Sequence, residues 1–182
     1  MISVDILKQV ILDNQHDVER QIVIPRSVNL EEGMNYVLVG VRRAGKSFML
    51  YQRMQQNLQQ GIGWDKMLYI NFEDERLINM ESSELNLLLE AFARIYANDR
   101  PILFLDELQN VVGWAKFARR LADNKFRVYI TGSNARMLSA EIATTLGGRY
   151  IMKEVCPYCF AEYIDAHRVS RTKTAQIATK TR

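Results

Sequence analysis

Cysteine is scarce in this chain of 182 residues, and two copies, Cys156 and Cys159, are too few for a disulfide framework. They stand in the run Cys-Pro-Tyr-Cys, which matches the motif of thiol–disulfide redox enzymes. That chemistry needs further strands after the motif, and only 23 residues follow Cys159. Zinc is not expected either, because His167 gives only a third ligand at an unusual spacing and His16 is remote. The sequence therefore predicts neither a redox site nor a zinc site.

Long apolar runs and a strong excess of one charge are also missing. No stretch approaches 18 consecutive apolar residues, so no membrane span is expected, and residues 1–5 lack the features of a signal peptide. The net charge is +3, but residues 166–182 hold five Lys or Arg and no acid, so 19 basic residues face 21 acids elsewhere. We therefore expect a cytoplasmic protein whose body gives no strong case for nucleic acid. The basic tail is either a solvated end or a contact for DNA, RNA or an acidic partner.

The chain does contain a regular alternation of short apolar runs and helical stretches. It is 48% hydrophobic and 25% charged, and it is long enough for one well-packed domain. Ser3 or Asp5 can cap the first helix. The predicted strands are 35–39, 67–72, 102–105, 127–131 and 149–155, and the predicted helices are 3–14, 48–59, 82–98, 112–122 and 135–140. This order predicts an α/β three-layer fold with a mainly parallel five-stranded sheet.

Residues 40–47 match G-x-x-x-x-G-K-[ST], a phosphate-binding pattern that is called the P-loop motif below. They lie between a predicted strand and a predicted helix, which is the context that the pattern requires. The two glycines allow close backbone approaches, Lys46 can reach β- and γ-phosphates, and Ser47 can offer its hydroxyl to Mg²⁺. The alternative is a glycine-rich turn before an ordinary helix. The residues predicted to bind nucleotide are Gly40, Val41, Arg42, Arg43, Ala44, Gly45, Lys46, Ser47 and Phe48.

Two acids, Asp106 and Glu107, end the apolar run 102–105. A core strand that ends in solvated charges would give the same pattern. In a chain with a P-loop motif, however, the pair predicts that Asp106 holds Mg²⁺ and that Glu107 polarises the attacking water. A second acidic stretch, 73–75, is interpreted as a solvated turn, with a catalytic contribution from one of its acids as the alternative.

Polar residues also follow the predicted strand 127–131. Asn134 or Ser133 could face the γ-phosphate and hold the water, and Asn134 is favoured. The alternative is that these residues cap the short helix that follows, since Ser and Asn are preferred at helix N-caps. One residue can serve each role.

Five segments occur in an order that resembles the prokaryotic AAA-like P-loop ATPases related to the archaeal ATPase group. They are Gly40–Ser47, Leu103–Gln109, Thr131–Asn134, Leu146–Arg149 and Pro157–Tyr163. The resemblance covers roughly residues 20–165. It implies that Asn134 is a sensor residue and that Arg149 is an arginine finger or a γ-phosphate sensor. The alternative for Arg149 is a surface charge at the start of a strand.

The resemblance also implies a domain organisation. We expect an N-terminal helical segment at 1–19, an ATPase domain at 20–165 and a basic, weakly ordered tail at 166–182. Members of the group continue into a C-terminal domain of uncertain role, so the chain is interpreted as the ATPase module of a longer protein. Partners are then a second copy of the chain, or DNA or a protein bound through the C-terminal domain or the tail.

The predicted function is Mg²⁺-dependent binding and hydrolysis of ATP. ATP is favoured over GTP because the chain has no Asn-Lys-x-Asp motif for reading guanine. The alternative is a nucleotide-gated binding switch that hydrolyses ATP slowly or not at all. A P-loop kinase is a third interpretation, but neither an acceptor site nor a lid is identifiable.

Overall fold

The computed structural model describes residues 2–133, 144–160, 162–164 and 166. Five strands and four α-helices have both ends within the described residues, and after the first helix they alternate as far as the fourth strand. The strands are β1 (Tyr36–Gly40), β2 (Met67–Asn71), β3 (Ile102–Asp106), β4 (Val128–Ser133) and β5 (Ile151–Glu154). The helices are α1 (Val4–Arg20), α2 (Lys46–Gln59), α3 (Asn86–Tyr96) and α4 (Trp114–Asp123), and short 3₁₀ turns occur at Trp64–Lys66, Glu75–Leu77 and Leu108–Asn110.

The five strands form one sheet in the order β2-β3-β4-β1-β5, and every pairing is parallel. All strands therefore point the same way and end at one edge of the sheet, the carboxyl edge. Gly40, Asn71, Asp106, Ser133 and Glu154 are the last residues of the strands at that edge. The predicted α/β fold with a parallel five-stranded sheet is confirmed.

Helices cover both faces of the sheet, which gives three layers. One buried cluster joins the sheet to α1, α3 and α4, and a second joins the opposite face to α2. The central strands have no polar face because both faces are covered, and this explains their continuous apolar runs. The edge strand β5 instead alternates half-buried and exposed residues.

Helix α1 is longer than predicted. Ser3 caps it as expected, accepting a hydrogen bond from the amide of Ile6, but the helix continues to Arg20 instead of residue 14. Two buried polar residues extend its packed face. Asn14 donates to the carbonyl of Val10 at 2.6 Å, and Gln15 accepts from the hydroxyl of Tyr96 in α3 at 2.6 Å. The spacing of apolar residues does not indicate that these two polar residues are buried.

Helices α3 and α4 start later than predicted, at Asn86 and Trp114. Gly113 has a φ of 81°, a left-handed conformation that stops a helix from starting at residue 112. The predicted helix 135–140 lies outside the described residues. Among the helices that the structure describes, none is long and apolar enough to cross a membrane.

Candidate functional site

The P-loop motif connects β1 to α2 at the carboxyl edge of the sheet. Its backbone has two left-handed residues, Arg43 (φ 64°) and Gly45 (φ 91°), and Gly45 is the N-cap of α2. Gly40 needs to be a glycine for a different reason: a Cβ there would lie 2.3 Å from the carbonyl oxygen of Val155. The loop leads directly into the first turn of α2, whose amides have no partner within the helix and can therefore bind an anion.

Lys46 is the first residue of α2, and its ammonium lies under the loop. Its Nζ donates to the carbonyls of Gly40 at 3.3 Å and Val41 at 3.4 Å, and it lies 3.3 Å from Oε1 of Glu107. The lysine side chain is only 5% exposed. A buried ammonium with these contacts holds a positive charge at the mouth of the loop.

Asp106 ends β3 and is almost completely buried. The hydroxyl of Thr131 donates to its Oδ1, and the hydroxyl of Tyr69 donates to its Oδ2 at 3.0 Å. Burial raises the pKa of Asp106, and hydrogen bonds from Thr131, Ser47 and Tyr69 counteract the rise. The carboxylate is therefore fixed beside the hydroxyl of Ser47. Hydroxyl and carboxylate oxygens are the donors that Mg²⁺ prefers, so this pair fits that ion.

Glu107 follows in a left-handed conformation with a φ of 54°. Its amide donates to Oγ1 of Thr131 at 2.9 Å, and its Oε2 accepts from the side-chain amide of Gln109. Thr131 thus holds both acids, donating to Asp106 and accepting from the backbone of Glu107. Both carboxylate oxygens of Glu107 have a partner, Lys46 on one side and Gln109 on the other.

These groups surround a single cavity of about 470 Å³, a size that suits a small-molecule ligand. The P-loop motif, the start of α2, the end of β2 and the two acids after β3 all contribute to its wall. The lining residues are Arg42, Arg43, Gly45, Lys46, Ser47, Phe48, Tyr51, Asn71, Glu73, Asp106 and Glu107. The cavity can hold a polyanion next to an ammonium, a helix N-terminus and two carboxylates.

Comparison with known proteins identifies the family. The family model for an AAA domain matches residues 33–164. The chain belongs to this AAA domain family. Membership supports nucleotide binding and an ATPase-like activity for the chain.

Two relatives of this AAA domain have the name uncharacterized protein. One from Methanocaldococcus jannaschii is 42% identical over 161 residues, which cover 87% of this chain and 35% of the relative. One from Haemophilus influenzae is 39% identical over 137 residues, which cover 73% of this chain and 34% of the relative. The chain therefore spans about a third of the length of these curated relatives.

The structure brings most of the predicted site residues of the AAA domain together, but Arg149 is remote from them. Arg149 precedes β5 at the amino edge of the sheet, and its guanidinium pairs with Asp123 at the end of α4. Asn134 lies outside the described residues, whereas Ser133 ends β4 directly beside Gly40. Of the acidic stretch 73–75, Glu73 lines the cavity.

Several residues in the site were not predicted. Tyr69 lies inside a strand, where the sequence pattern marks it as an ordinary core position, and Thr131 begins the segment Thr131–Asn134 without a predicted role of its own. Gln109 ends the segment Leu103–Gln109, which carries part of the family resemblance, but it has no predicted role of its own. Its position two residues after Glu107 is the one feature of the sequence that indicates a contact between them. Arg26 lies in a segment without regular secondary structure and donates to the carbonyl of Ala44 in the loop. The residues around Arg26 in the sequence do not indicate this contact.

Proposed function

We propose that this AAA domain binds ATP with Mg²⁺ and hydrolyses it. The observation that carries the proposal is the convergence of Lys46, Asp106 and Glu107 on one cavity at the mouth of the P-loop motif. An ammonium, a buried carboxylate and a second, less buried carboxylate suit the binding of phosphate, the binding of Mg²⁺ and the positioning of water in phosphoryl transfer. ATP is proposed over GTP because the chain lacks the guanine-reading motif.

The binding roles fall to the loop and to α2. The amides at the start of α2 and the ammonium of Lys46 would bind the phosphates, since they present positive charge and donors at one point. Ser47 and Asp106 would hold Mg²⁺, which supplies positive charge to the phosphate oxygens when it is bound. Tyr69 and Thr131 keep the Asp106 carboxylate in place through their hydroxyls.

The hydrolytic role falls to Glu107. Its carboxylate would orient a water molecule and accept the proton as the water attacks. Asp106 is less suited to that role because it is almost completely buried, whereas the side chain of Glu107 is 17% exposed. Gln109 positions Glu107 by donating to its carboxylate, and Thr131 does so by accepting from its backbone amide.

A specific contact also favours a second candidate function, a nucleotide-gated switch with slow hydrolysis. The ammonium of Lys46 lies 3.3 Å from Oε1 of Glu107, and Gln109 occupies the other oxygen. With both oxygens in contact with other side chains, the Glu107 carboxylate orients no water until the ammonium of Lys46 leaves it and binds a phosphate. Turnover distinguishes the two functions, because release of phosphate without an acceptor supports hydrolysis and tight binding without release supports the switch.

Titration calorimetry with ATP tests the shared binding step. The wild-type chain is expected to bind ATP more tightly with Mg²⁺ than without it. Lys46→Ala is expected to lower the affinity by about tenfold or more, since a contact worth about 1.4 kcal/mol changes affinity tenfold. Lys116→Ala is the control, because Lys116 is an exposed lysine on α4. Equal affinity in the Lys46→Ala and Lys116→Ala variants would show that the nucleotide does not use the P-loop motif.

A further inference from the structure

Arg26 lies between α1 and β1 and contacts the P-loop motif from behind. Its Nη1 donates to the carbonyl of Ala44 at 3.1 Å, and its side chain is 7% exposed. The backbone of Arg26 is fixed to α2, since Gln52 accepts from its amide at 2.8 Å and donates to its carbonyl at 3.0 Å. Arg26 therefore ties the loop to the helix that follows it.

The charge of Arg26 is neutralised by a residue far along the chain. Its Nε and Nη2 donate to the two oxygens of Glu162 at 2.9 and 3.1 Å, a bidentate pair. Glu162 also accepts from the amide of Cys159 at 2.9 Å, and the hydrogen bonds from Arg26 and Cys159 lower the pKa of Glu162 to about 2. The ring of Tyr158 lies 5.0 Å from the guanidinium carbon of Arg26. Three contacts thus join Arg26 to the segment that follows β5.

The same segment contacts the other end of the P-loop motif. After β5, the amide of Val155 donates to the carbonyl of Val39 at 2.7 Å. The carbonyl of Val155 lies against Gly40, where a side chain would collide with it. Val155 therefore contacts the start of the loop directly, and Glu162 contacts its end through Arg26. These two residues thus connect the chain after β5 to both ends of the loop.

We propose that Arg26 is a positioning residue for the P-loop motif and that Glu162 sets its position, so that the contacts of Glu162 with Arg26 and Cys159 are coupled to nucleotide binding. The inference rests on the proposed nucleotide binding. An ion pair that only joined two surface segments would not need a third bond to a loop carbonyl. Because such coupling is reciprocal, nucleotide must also tighten the contact between Arg26 and Glu162.

Two variants test the role of the pair in binding. Arg26→Lys keeps the charge but cannot make two parallel bonds to Glu162 and a third to Ala44. Glu162→Gln keeps the shape and removes the charge. Each is expected to weaken ADP binding in calorimetry by about fivefold or more, the lower end of the range for coupled sites. Glu90→Gln, which removes an exposed ion pair with Arg94 on α3, is the control and is expected to bind ADP as the wild type does.

Hydrogen exchange of the wild-type chain tests the coupling without any variant. ADP is expected to slow exchange about fivefold or more in peptides that contain the amides of Val155 and Cys159. This effect distinguishes coupling from a purely structural ion pair, which would stabilise the segment equally with and without nucleotide.

The outcomes separate this inference from the proposed function. A wild-type chain that binds no nucleotide would overturn both. A wild-type chain that binds ADP, with folded variants within twofold of it and unchanged exchange in residues 155–162, would overturn the coupling alone. Weakened binding in both variants together with slowed exchange supports it.

Discussion

A single hydroxyl, that of Thr131, organises the acidic part of the site. It donates to Oδ1 of Asp106 and accepts from the amide of Glu107, so one side chain of β4 fixes two consecutive residues that follow β3. Thr131 is fully buried, and its bond to Asp106 joins two buried side chains. Removing the hydroxyl leaves the buried Asp106 carboxylate without this partner, and the loss of a partner at a buried polar group costs about 1–3 kcal/mol.

Thr131→Val is therefore expected to lower the free energy of unfolding by about 2 kcal/mol and to lower ATP turnover about tenfold or more. Valine has nearly the same shape, so the change removes the hydroxyl without opening a cavity. Urea unfolding and steady-state phosphate release measure the two effects. Thr131→Ser keeps the hydroxyl and is the matched control. If the valine variant turned over ATP as fast as the serine variant, the hydroxyl would have no role in catalysis.

At the residue scale, the sequence predicted the site residues that belong to motifs with a fixed spacing. Lys46, Ser47, Asp106 and Glu107 lie in motifs, and the structure places all four around one cavity. Residues that act through tertiary contacts have no such spacing. Glu162 and Arg26 are 136 positions apart, and only the folded chain brings their side chains into contact.

At the scale of elements, the unit β1, P-loop motif and α2 depends on β5 as a neighbour. Gly40 ends β1 against the carbonyl of Val155, which follows β5. Backbone atoms form both sides of this contact, and neither side can rotate away as a side chain could. The close approach of β1 and β5 at the carboxyl edge therefore depends on the absence of a Cβ at residue 40.

Gly40→Ala is expected to destabilise the fold by about 1–3 kcal/mol, the usual cost of overpacking. Gly63→Ala is the matched control: its Cβ would lie 2.5 Å from Oδ1 of Asp65, a side chain that can swing away, and its φ of −77° suits alanine. Urea denaturation measures both variants. Equal stability of the two alanine variants would mean that β5 does not constrain the end of β1.

The existence and type of the elements could be predicted because apolar runs and helical stretches alternate along the chain. Their boundaries were less accurate where a single residue decides them, as with Gly113 before α4 and Gln15 within α1. The strand order could not be predicted from periodicity, since pairing of β1 with β4 joins residues more than 90 positions apart.

At the scale of the whole molecule, the parallel sheet separates Arg149 from the cavity. Arg149 lies at the amino edge, and the five residues of β1 span about 13 Å between the two edges. Its guanidinium pairs there with Asp123 and does not line the cavity of its own chain. We therefore expect Arg149, if it serves as a finger, to act between subunits, where a finger is worth about 10³-fold or more in rate.

Mixing inactive variants tests this expectation. A Lys46→Ala chain retains Arg149, and an Arg149→Ala chain retains its own P-loop motif, so the mixture should recover part of the ATPase activity. A mixture of Lys46→Ala and Glu107→Gln chains is the control and should stay inactive, because each site then lacks a residue of its own. Mixed oligomers that form but recover no activity would argue against a role between subunits.

The central claim, that the carboxylate of Glu107 drives hydrolysis at the P-loop motif, is tested most directly by phosphate release from Mg-ATP. The wild-type chain is predicted to release phosphate without an acceptor. Glu107→Gln is predicted to bind Mg-ATP with an affinity within a few-fold of that of the wild type. It is predicted to release phosphate more slowly by a factor of about 10² or more, which is the usual effect of losing a general base. Turnover of Glu107→Gln within a few-fold of the wild type would contradict the claim.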